Sequence, residues 1–194
     1  LTPPSSGTAH VAGISIEDRD QLKGQIGYLP HDPPVYDSFT AREQLAYAAD
    51  IRRMDADRAD ERIDSLLDRV DLLADANDRI ATYSQGMCRK VGLVQALLHG
   101  PEVVFLDEPT SGLDPRSSRT VIELITEQVE AGTTVFLSSH ILPVVEELAD
   151  TVGVLYEGRL VAEDSPTRLV ERTEEGRGTL EEAFLDITTE GGPV

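Results

Sequence analysis

Val103-Val104-Phe105-Leu106-Asp107-Glu108-Pro109 is the most informative stretch of this sequence. Four consecutive apolar residues without polar alternation are typical of a strand that is covered on both faces, as inside a parallel sheet. Two carboxylates follow at once, and Pro109 cannot continue the strand. Because ligands of open α/β sheets bind just beyond the carboxyl ends of the strands, Asp107 and Glu108 lie where chemistry is expected. Taken alone, the stretch fits a strand followed by an acidic turn equally well.

A second strand of the same kind, Thr133 to Leu137, follows one predicted helix later and leads into Ser138-Ser139-His140. Parallel strands joined by a single helical crossover are usually neighbours in the sheet. The acidic pair and His140 are therefore expected along one edge. Hydrolysis of a nucleoside triphosphate requires such a set: an acid that holds Mg²⁺, a base that orients water and a donor to the γ-phosphate.

A third segment with the same chemistry is Tyr83-Ser84-Gln85-Gly86-Met87. Ser84 is predicted to cap a helix that runs to about His99. The start of a helix is a natural phosphate site, because its free amides and the helix dipole both favour an anion. A plain helix cap is the simpler interpretation of Ser84, and the two roles are compatible.

The remainder of the chain alternates helices and strands. A capping box at Thr40 and Glu43 predicts a helix start, and Pro115 predicts another. Further elements are predicted at Gln25–Leu29 (strand), 56–73 (helix), 152–156 and 159–162 (hairpin strands), and from Ser165 and Thr179 (helices). This alternation predicts an α/β fold with a parallel sheet. Thr8 to Ile16, with Gly13 inside it, predicts two early strands joined by a turn. These early strands and the closing hairpin look antiparallel, so the sheet is expected to be mixed.

The composition limits the classes of function. The chain has 194 residues, enough for one domain, and carries 36 acidic against 17 basic residues, a net charge of -19. Nucleic-acid binding requires a basic surface, so that class is not expected. The acids are scattered, which favours a halophile-like adaptation to high salt over an acidic face for a basic partner. The single Cys88 forms no intramolecular disulfide, and no stretch approaches the roughly 18 apolar residues of a membrane span.

The order and spacing of these motifs resemble the nucleotide-binding subunit of ATP-binding-cassette (ABC) transporters, in the form common among drug and multi-substrate exporters. Tyr83-Ser84-Gln85-Gly86-Met87 resembles the signature motif, and Val103 to Pro109 the Walker B strand. Ser111-Gly112-Leu113-Asp114 resembles the D-loop, and Ser138-Ser139-His140 the switch-histidine motif.

This resemblance implies one P-loop NTPase-like ABC nucleotide-binding domain over residues 1–194, with a mixed sheet. It implies a helical subdomain at 36–100, a core at 101–164 and C-terminal helices at 165–194. Implied partners are a membrane-spanning permease and a second ATPase subunit, in a homodimer or pseudo-dimer. The implied location is cytoplasmic, peripheral on the inner face of the cell membrane.

The resemblance also implies ATP and Mg²⁺ as cofactors and assigns a role to each site residue. Asp107 would hold Mg²⁺ through water, Glu108 would polarise the attacking water, and His140 would contact the γ-phosphate. Ser84, Gln85 and Gly86 would contact the nucleotide of the opposite subunit, and Asp114 would lie at the dimer seam. The simpler interpretations are a capping residue on a surface loop for His140 and an N-cap before Pro115 for Asp114.

Two departures from the family pattern affect the predicted function. His31 stands where a Gln that senses Mg²⁺ is usual in the family, so the resemblance implies a contact with the cofactor there, and an exposed loop histidine is the alternative. No G-x-x-x-x-G-K-[ST] string occurs, although it is the motif that cradles the phosphates. We therefore expect an N-terminally truncated domain without its first strand and P-loop helix, which binds ATP weakly or not at all and does not hydrolyse it.

Three functions remain open at this point. The first is an ATPase subunit that drives export through a membrane partner, and the second is a non-catalytic ABC-like module that binds a partner. The third, a soluble ABC ATPase acting on ribosomes or DNA, is disfavoured by the single cassette and by the absence of a basic patch. The sequence does not indicate the transported molecule.

Overall fold

The computed structural model describes residues 4–171 and 178–190. In these ranges the strands are β1 (His10–Val11), β2 (Ile14–Ser15), β3 (Ile26–Leu29), β4 (Val103–Asp107), β5 (Thr134–Ser138), β6 (Val152–Tyr156) and β7 (Arg159–Asp164). The helices are α1 (Arg19–Gln25), α2 (Ala41–Ile51), α3 (Ala56–Arg69), α4 (Gln85–Leu97), α5 (Pro115–Glu130), α6 (Leu142–Leu148), α7 (Pro166–Glu171) and α8 (Leu180–Glu190). The 3-10 turn Ile80–Thr82 precedes α4.

The central feature is a parallel sheet with the strand order β3-β4-β5. As predicted, β4 and β5 are neighbours, and their register places Asp107 opposite Ser138. Strand β3 pairs with the other edge of β4, with Leu29 opposite Leu106. The early strands and the closing hairpin are antiparallel, as predicted, and form two separate two-stranded sheets.

The expectation of cover on both faces was wrong for β5, where Thr134, Phe136 and Ser138 are exposed, whereas no β4 residue is exposed in the described part of the chain. Val104 and Leu106 are 1% and 2% exposed and face the helices, whereas Phe105 is only half-buried. On the open face Phe105 contacts Phe136 of β5, with ring centroids 5.7 Å apart, and Phe136 is 65% exposed. An uninterrupted apolar run therefore does not by itself show that both faces are covered.

Helix α4 packs on the sheet at unusually short range because glycine occupies two contact positions. A Cβ added to Gly27 in β3 would lie 2.2 Å from the carbonyl oxygen of Ala96. A Cβ added to Gly92 in α4 would lie 2.6 Å from Cβ of Pro33. Both distances are far below contact range, so only glycine lets the helix and the strand approach this closely.

The chain divides into two compact units, Leu1–Ser138 and Ser139–Val194. Within the second unit α8 packs against α7 and α6, and the amide of Leu180 donates to Oε1 of Glu146 at 2.9 Å. Leu169, Leu180 and Ala183 are buried there. The subdomain boundaries at 36–100, 101–164 and 165–194 stay a prediction. Residues 1–3, 172–177 and 191–194 of the predicted domain lie outside the described residues.

Local capping explains where most helices begin. Thr40 and Glu43 form the predicted capping box of α2, and Ser84 caps α4 through the amide of Met87. Helix α1 was not predicted: Asp18 caps it, and its single buried residue, Leu22, leaves little apolar periodicity to detect.

Candidate functional site

The carboxyl end of β4 turns sharply at Glu108. The side chain of Ser138 donates to Oδ1 of Asp107 at 2.7 Å, which joins the ends of the two strands. Glu108 has a φ of 50°, a left-handed conformation that is uncommon for a residue other than glycine. Its amide donates to the carbonyl of Ser138 at 3.0 Å, and its own carbonyl accepts from the amide of Ser111 at 3.1 Å. The predicted acidic pair therefore lies at a strained, tightly bonded strand end.

A buried arginine that the sequence analysis missed lies beneath this strand end. Arg89 of α4 is 2% exposed. Its Nη1 donates to the carbonyls of Glu108 and, at 3.4 Å, of Asp107, and its Nη2 donates to the carbonyl of His31 at 2.8 Å. The only sequence signal was a charged pair, Arg89 and Lys90, inside an otherwise apolar helix, and both prove to be buried.

His31 follows β3, so it lies at the same edge of the sheet as Asp107. Its carbonyl is held by Arg89, while the residue is exposed. The structure therefore brings the main chain of His31 to the site, and a contact of its ring with metal stays a prediction.

The predicted phosphate-binding helix start is accessible. Ser84 and Gln85 are exposed, and the side chain of Ser84 accepts from the amide of Met87 at 3.2 Å. The first turn of α4 contains no acidic residue. A Cβ added to Gly86 would lie 3.0 Å from a methyl group of Leu113, so this helix start packs against the loop that precedes α5.

Tyr83, the residue before the cap, is anchored independently. Its hydroxyl donates to the carbonyl of Asp75 at 2.6 Å. Burial, followed by the nearby Asp75 and Asp78, raises the pKa of Tyr83 to about 12. The phenol therefore stays neutral and keeps this hydrogen bond throughout the physiological pH range.

Asp114 is exposed and caps α5. Its Oδ1 accepts from the amides of Arg116 and Ser117 at 3.0 Å and 3.1 Å. Hydrogen bonds from Ser117, first from its side chain and then from its amide, lower the pKa of Asp114. The simple N-cap interpretation therefore holds, and a position at a dimer seam stays a prediction.

His140 belongs to the second compact unit, two residues beyond the end of β5, and is exposed. That its ring lies close to Asp107 and Glu108 stays a prediction.

Within the described ranges, no group of three or more His, Cys, Asp or Glu side chains could hold a metal ion by itself. In the same ranges, no helix combines the length and the apolar character that crossing a bilayer requires.

Comparison with known proteins identifies the family. The model of the family described as "ABC transporter" matches residues 1–111. An uncharacterized ABC transporter ATP-binding protein of Nostoc sp. (strain PCC 7120) is 40% identical over 86% of this chain and 50% of its own length. The linearmycin resistance ATP-binding protein LnrL of Bacillus subtilis (strain 168) is 34% identical over 89% of this chain and 56% of its own length. The chain thus spans about half the length of the curated relatives it matches.

A solved structure described as the ATP binding subunit of an ABC transporter is similar over 95% of this chain and 78% of its own, with a TM-score of 0.86 and 28% identity. The fold is that of an ABC nucleotide-binding domain, a P-loop NTPase fold, as the motifs predicted. The motif order, the parallel sheet with its acidic strand end, and the family match agree, and this chain belongs to the ABC transporter family.

Proposed function

We propose that these residues form the part of an ATP-binding subunit that holds Mg²⁺, orients water and contacts a second subunit, and that the subunit energises export through a separate membrane permease. The observation that carries the proposal is the end of β4, where Asp107 is bonded to Ser138 and Glu108 adopts a strained conformation. This edge of a parallel sheet is where ligands of such folds bind.

The proposed cofactors are ATP and Mg²⁺, and the residues present fit the metal. Magnesium retains several waters and is usually held in proteins by one or two carboxylates plus substrate phosphates. One half-buried carboxylate, Asp107, therefore suffices. Among the described residues its side chain accepts one hydrogen bond, from Ser138, which leaves lone pairs for metal-bound water. Bound Mg²⁺ would neutralise charge that develops on the phosphates.

The other site residues have complementary roles in this proposal. Glu108 accepts a proton from the attacking water, and the hydrogen bonds around its main chain hold it in place for that task. His140 donates to the γ-phosphate. His31 lies at the same edge as Asp107, where an imidazole could hydrogen-bond a metal-bound water.

Ser84, Gln85 and Gly86 would act on a nucleotide held by a second subunit. Free amides at the start of α4, together with its dipole and an accessible serine hydroxyl, suit a phosphate. Because the first turn of α4 carries no acid, nothing there repels an anion. Asp114, on the neighbouring helix start, would lie at the seam between two subunits, in a homodimer or a pseudo-dimer.

Export is supported by the kind of relatives found, among them a linearmycin resistance protein. A subunit of this kind would lie in the cytoplasm against the inner face of the cell membrane, where it would contact the permease. The transported molecule would contact the permease, so no residue here selects it. The acidic, halophile-like charge would suit a salty cytoplasm.

We infer that residues 1–194 on their own bind ATP weakly and do not hydrolyse it, since the sequence contains no G-x-x-x-x-G-K-[ST] string. This observation also supports the second candidate, a non-catalytic ABC-like module that binds a partner. Titration of residues 1–194 with Mg-ATP is expected to give a dissociation constant of about 1 mM or weaker. Tight binding would contradict the inference.

The decisive experiment uses the full-length protein that carries these residues. Glu108→Gln is expected to lower ATP hydrolysis by about 100-fold or more while nucleotide binding is retained, because only the proton acceptor is lost. The matched control is Glu102→Gln, at the opposite end of the β4 run, which should leave hydrolysis unchanged. Equal effects of the two substitutions would contradict the proposed role of Glu108. A wild-type protein without hydrolysis would favour the non-catalytic module.

A further inference from the structure

Arg89 is a buried cation without a carboxylate partner among the described residues. It is 2% exposed, and its hydrogen bonds within the described residues all go to main-chain carbonyls, those of His31, Asp107 and Glu108. Its Nε is buried without a hydrogen-bond partner in the described part of the chain. Burying a charge with this pattern of bonds costs free energy that an apolar side chain of similar volume would not cost.

The positions of the three carbonyls show that the guanidinium of Arg89 joins separate segments of the main chain. His31 follows β3, and Asp107 and Glu108 end β4, so one side chain cross-links the carboxyl ends of two neighbouring strands. Arg has five donors in a fixed planar fork, which suits several acceptors at defined angles. Lysine carries the same charge but cannot reproduce this geometry.

The bond to Glu108 has a specific conformational consequence. A left-handed conformation at a non-glycine residue persists only where the surroundings hold it. Hydrogen bonds of its main chain contribute here: the amide of Glu108 donates to Ser138, and its carbonyl accepts from Ser111 and from Arg89. Loss of the Arg89 bond would let Glu108 relax toward an ordinary conformation, and its carboxylate would move with the main chain.

We propose that Arg89 is a positioning residue: its guanidinium holds the main chain of Glu108 and His31, and thereby sets the place of the Glu108 carboxylate relative to the β4 end. The catalytic consequence rests on the proposed function of Glu108. The effect on the conformation of Glu108 does not depend on that proposed function, so the conformational effect and the catalytic effect are tested separately.

The first test measures amide hydrogen exchange in residues 1–194. In Arg89→Lys, the amides of Glu108 and Ser111 are expected to exchange about tenfold faster or more, while the ladder amides of β4 keep their wild-type rates. The matched control is Arg62→Lys, because Arg62 also donates to main-chain carbonyls, those of Leu97 and Leu98 at the other end of α4. Unchanged exchange at Glu108 and Ser111, or the same uniform change in both variants, would overturn the proposal.

If Arg89→Lys fails to fold, a measurement on the wild-type protein still tests whether the main-chain carbonyls hold the guanidinium of Arg89. A guanidinium held by several carbonyls rotates slowly, so the Nη protons of Arg89 should give separate, slowly exchanging NMR signals. Averaged, rapidly exchanging signals would overturn the proposal.

The second test measures ATP hydrolysis by the full-length protein. Arg89→Lys is expected to lower kcat by about 10- to 100-fold and to leave KM within about threefold, because misplacement of a reacting group affects the chemical step. Arg62→Lys should leave both unchanged. A raised KM with normal kcat would overturn the catalytic consequence. Absence of hydrolysis in the wild type would reject the proposed function, and hydrogen exchange would still decide the role of Arg89.

Discussion

At the scale of single residues, Arg89 and His99 are basic side chains that lie at the two ends of α4 and that the fold largely removes from solvent. At the start of the helix, several main-chain carbonyls accept from the guanidinium of Arg89. His99 follows the last turn of the helix, where the dipole favours a cation. Burial, followed by the charge of nearby Arg52, outweighs that effect and lowers the pKa of His99 to about 4.

The lowered pKa of His99 predicts a pH dependence of stability. The unfolded chain binds a proton near the usual pKa of about 6.5, whereas the folded chain does so only near 4. Between these values the unfolded state binds more protons, so stability is full above pH 6.5 and falls as the pH approaches 4. We expect this residue to contribute a loss of about 2 kcal/mol in the free energy of unfolding, allowing for its partial exposure.

Urea unfolding at several pH values checks this expectation. The variant His99→Gln should lack this contribution, so its stability should fall less steeply over the same interval than that of the wild type. His10→Gln, at an exposed strand residue, is the matched control and should follow the wild-type curve. Parallel curves for wild type and His99→Gln would contradict the prediction.

At the scale of elements, the contact between α4 and the sheet depends on the absence of two side chains. Gly27 of β3 lies under the carbonyl of Ala96, and Gly92 of α4 lies against Pro33. This close approach places Arg89 within reach of both strand ends. Helix α4, whose start resembles the signature motif, therefore has little freedom to shift relative to β3 and β4.

Gly27→Ala is expected to lower the free energy of unfolding by at least about 2 kcal/mol, because the new methyl group would collide with a main-chain atom that cannot move alone. Denaturant unfolding measures the effect. Gly24→Ala in α1 is the control: a Cβ there meets nothing within 4 Å, and alanine favours a helix, so stability should be unchanged or slightly higher. Equal stability of the two variants would show that α4 adjusts its position freely.

At the scale of the whole molecule, the net charge of -19 spread over 194 residues is the main feature. Repulsion among so many like charges opposes the compact state, and salt screens it. The acids lie on most helices, for example in the first turns of α2 and α3, so the repulsion is not confined to one surface patch.

The melting temperature is therefore expected to rise by about 5 °C or more between 0.1 M and 2 M KCl at pH 7. Differential scanning calorimetry measures the shift. The control is the same pair of salt concentrations at a pH near the isoelectric point, where screening has little repulsion to remove. A shift of the same size under both conditions would assign the effect to salt-strengthened burial of apolar surface instead.

The sequence alone determined the features that depend on near neighbours in the chain. The strands β4 and β5 follow from short apolar runs, and the starts of α2, α4 and α5 follow from Thr40, Ser84 and Asp114, whose caps reach only two or three residues ahead. The order of the motifs then indicated the family, because that order is itself a property of the sequence.

Only the tertiary structure decided which residues meet across long stretches of chain. It brought Arg89 to His31 and Glu108, set Ala96 against Gly27, and left Phe136 exposed on the open face of the sheet. No local pattern encodes these contacts, because each depends on how closely α4 packs on the strands. Capping and strand formation are short-range effects, whereas the burial of a cation among carbonyls exists only after the chain has folded.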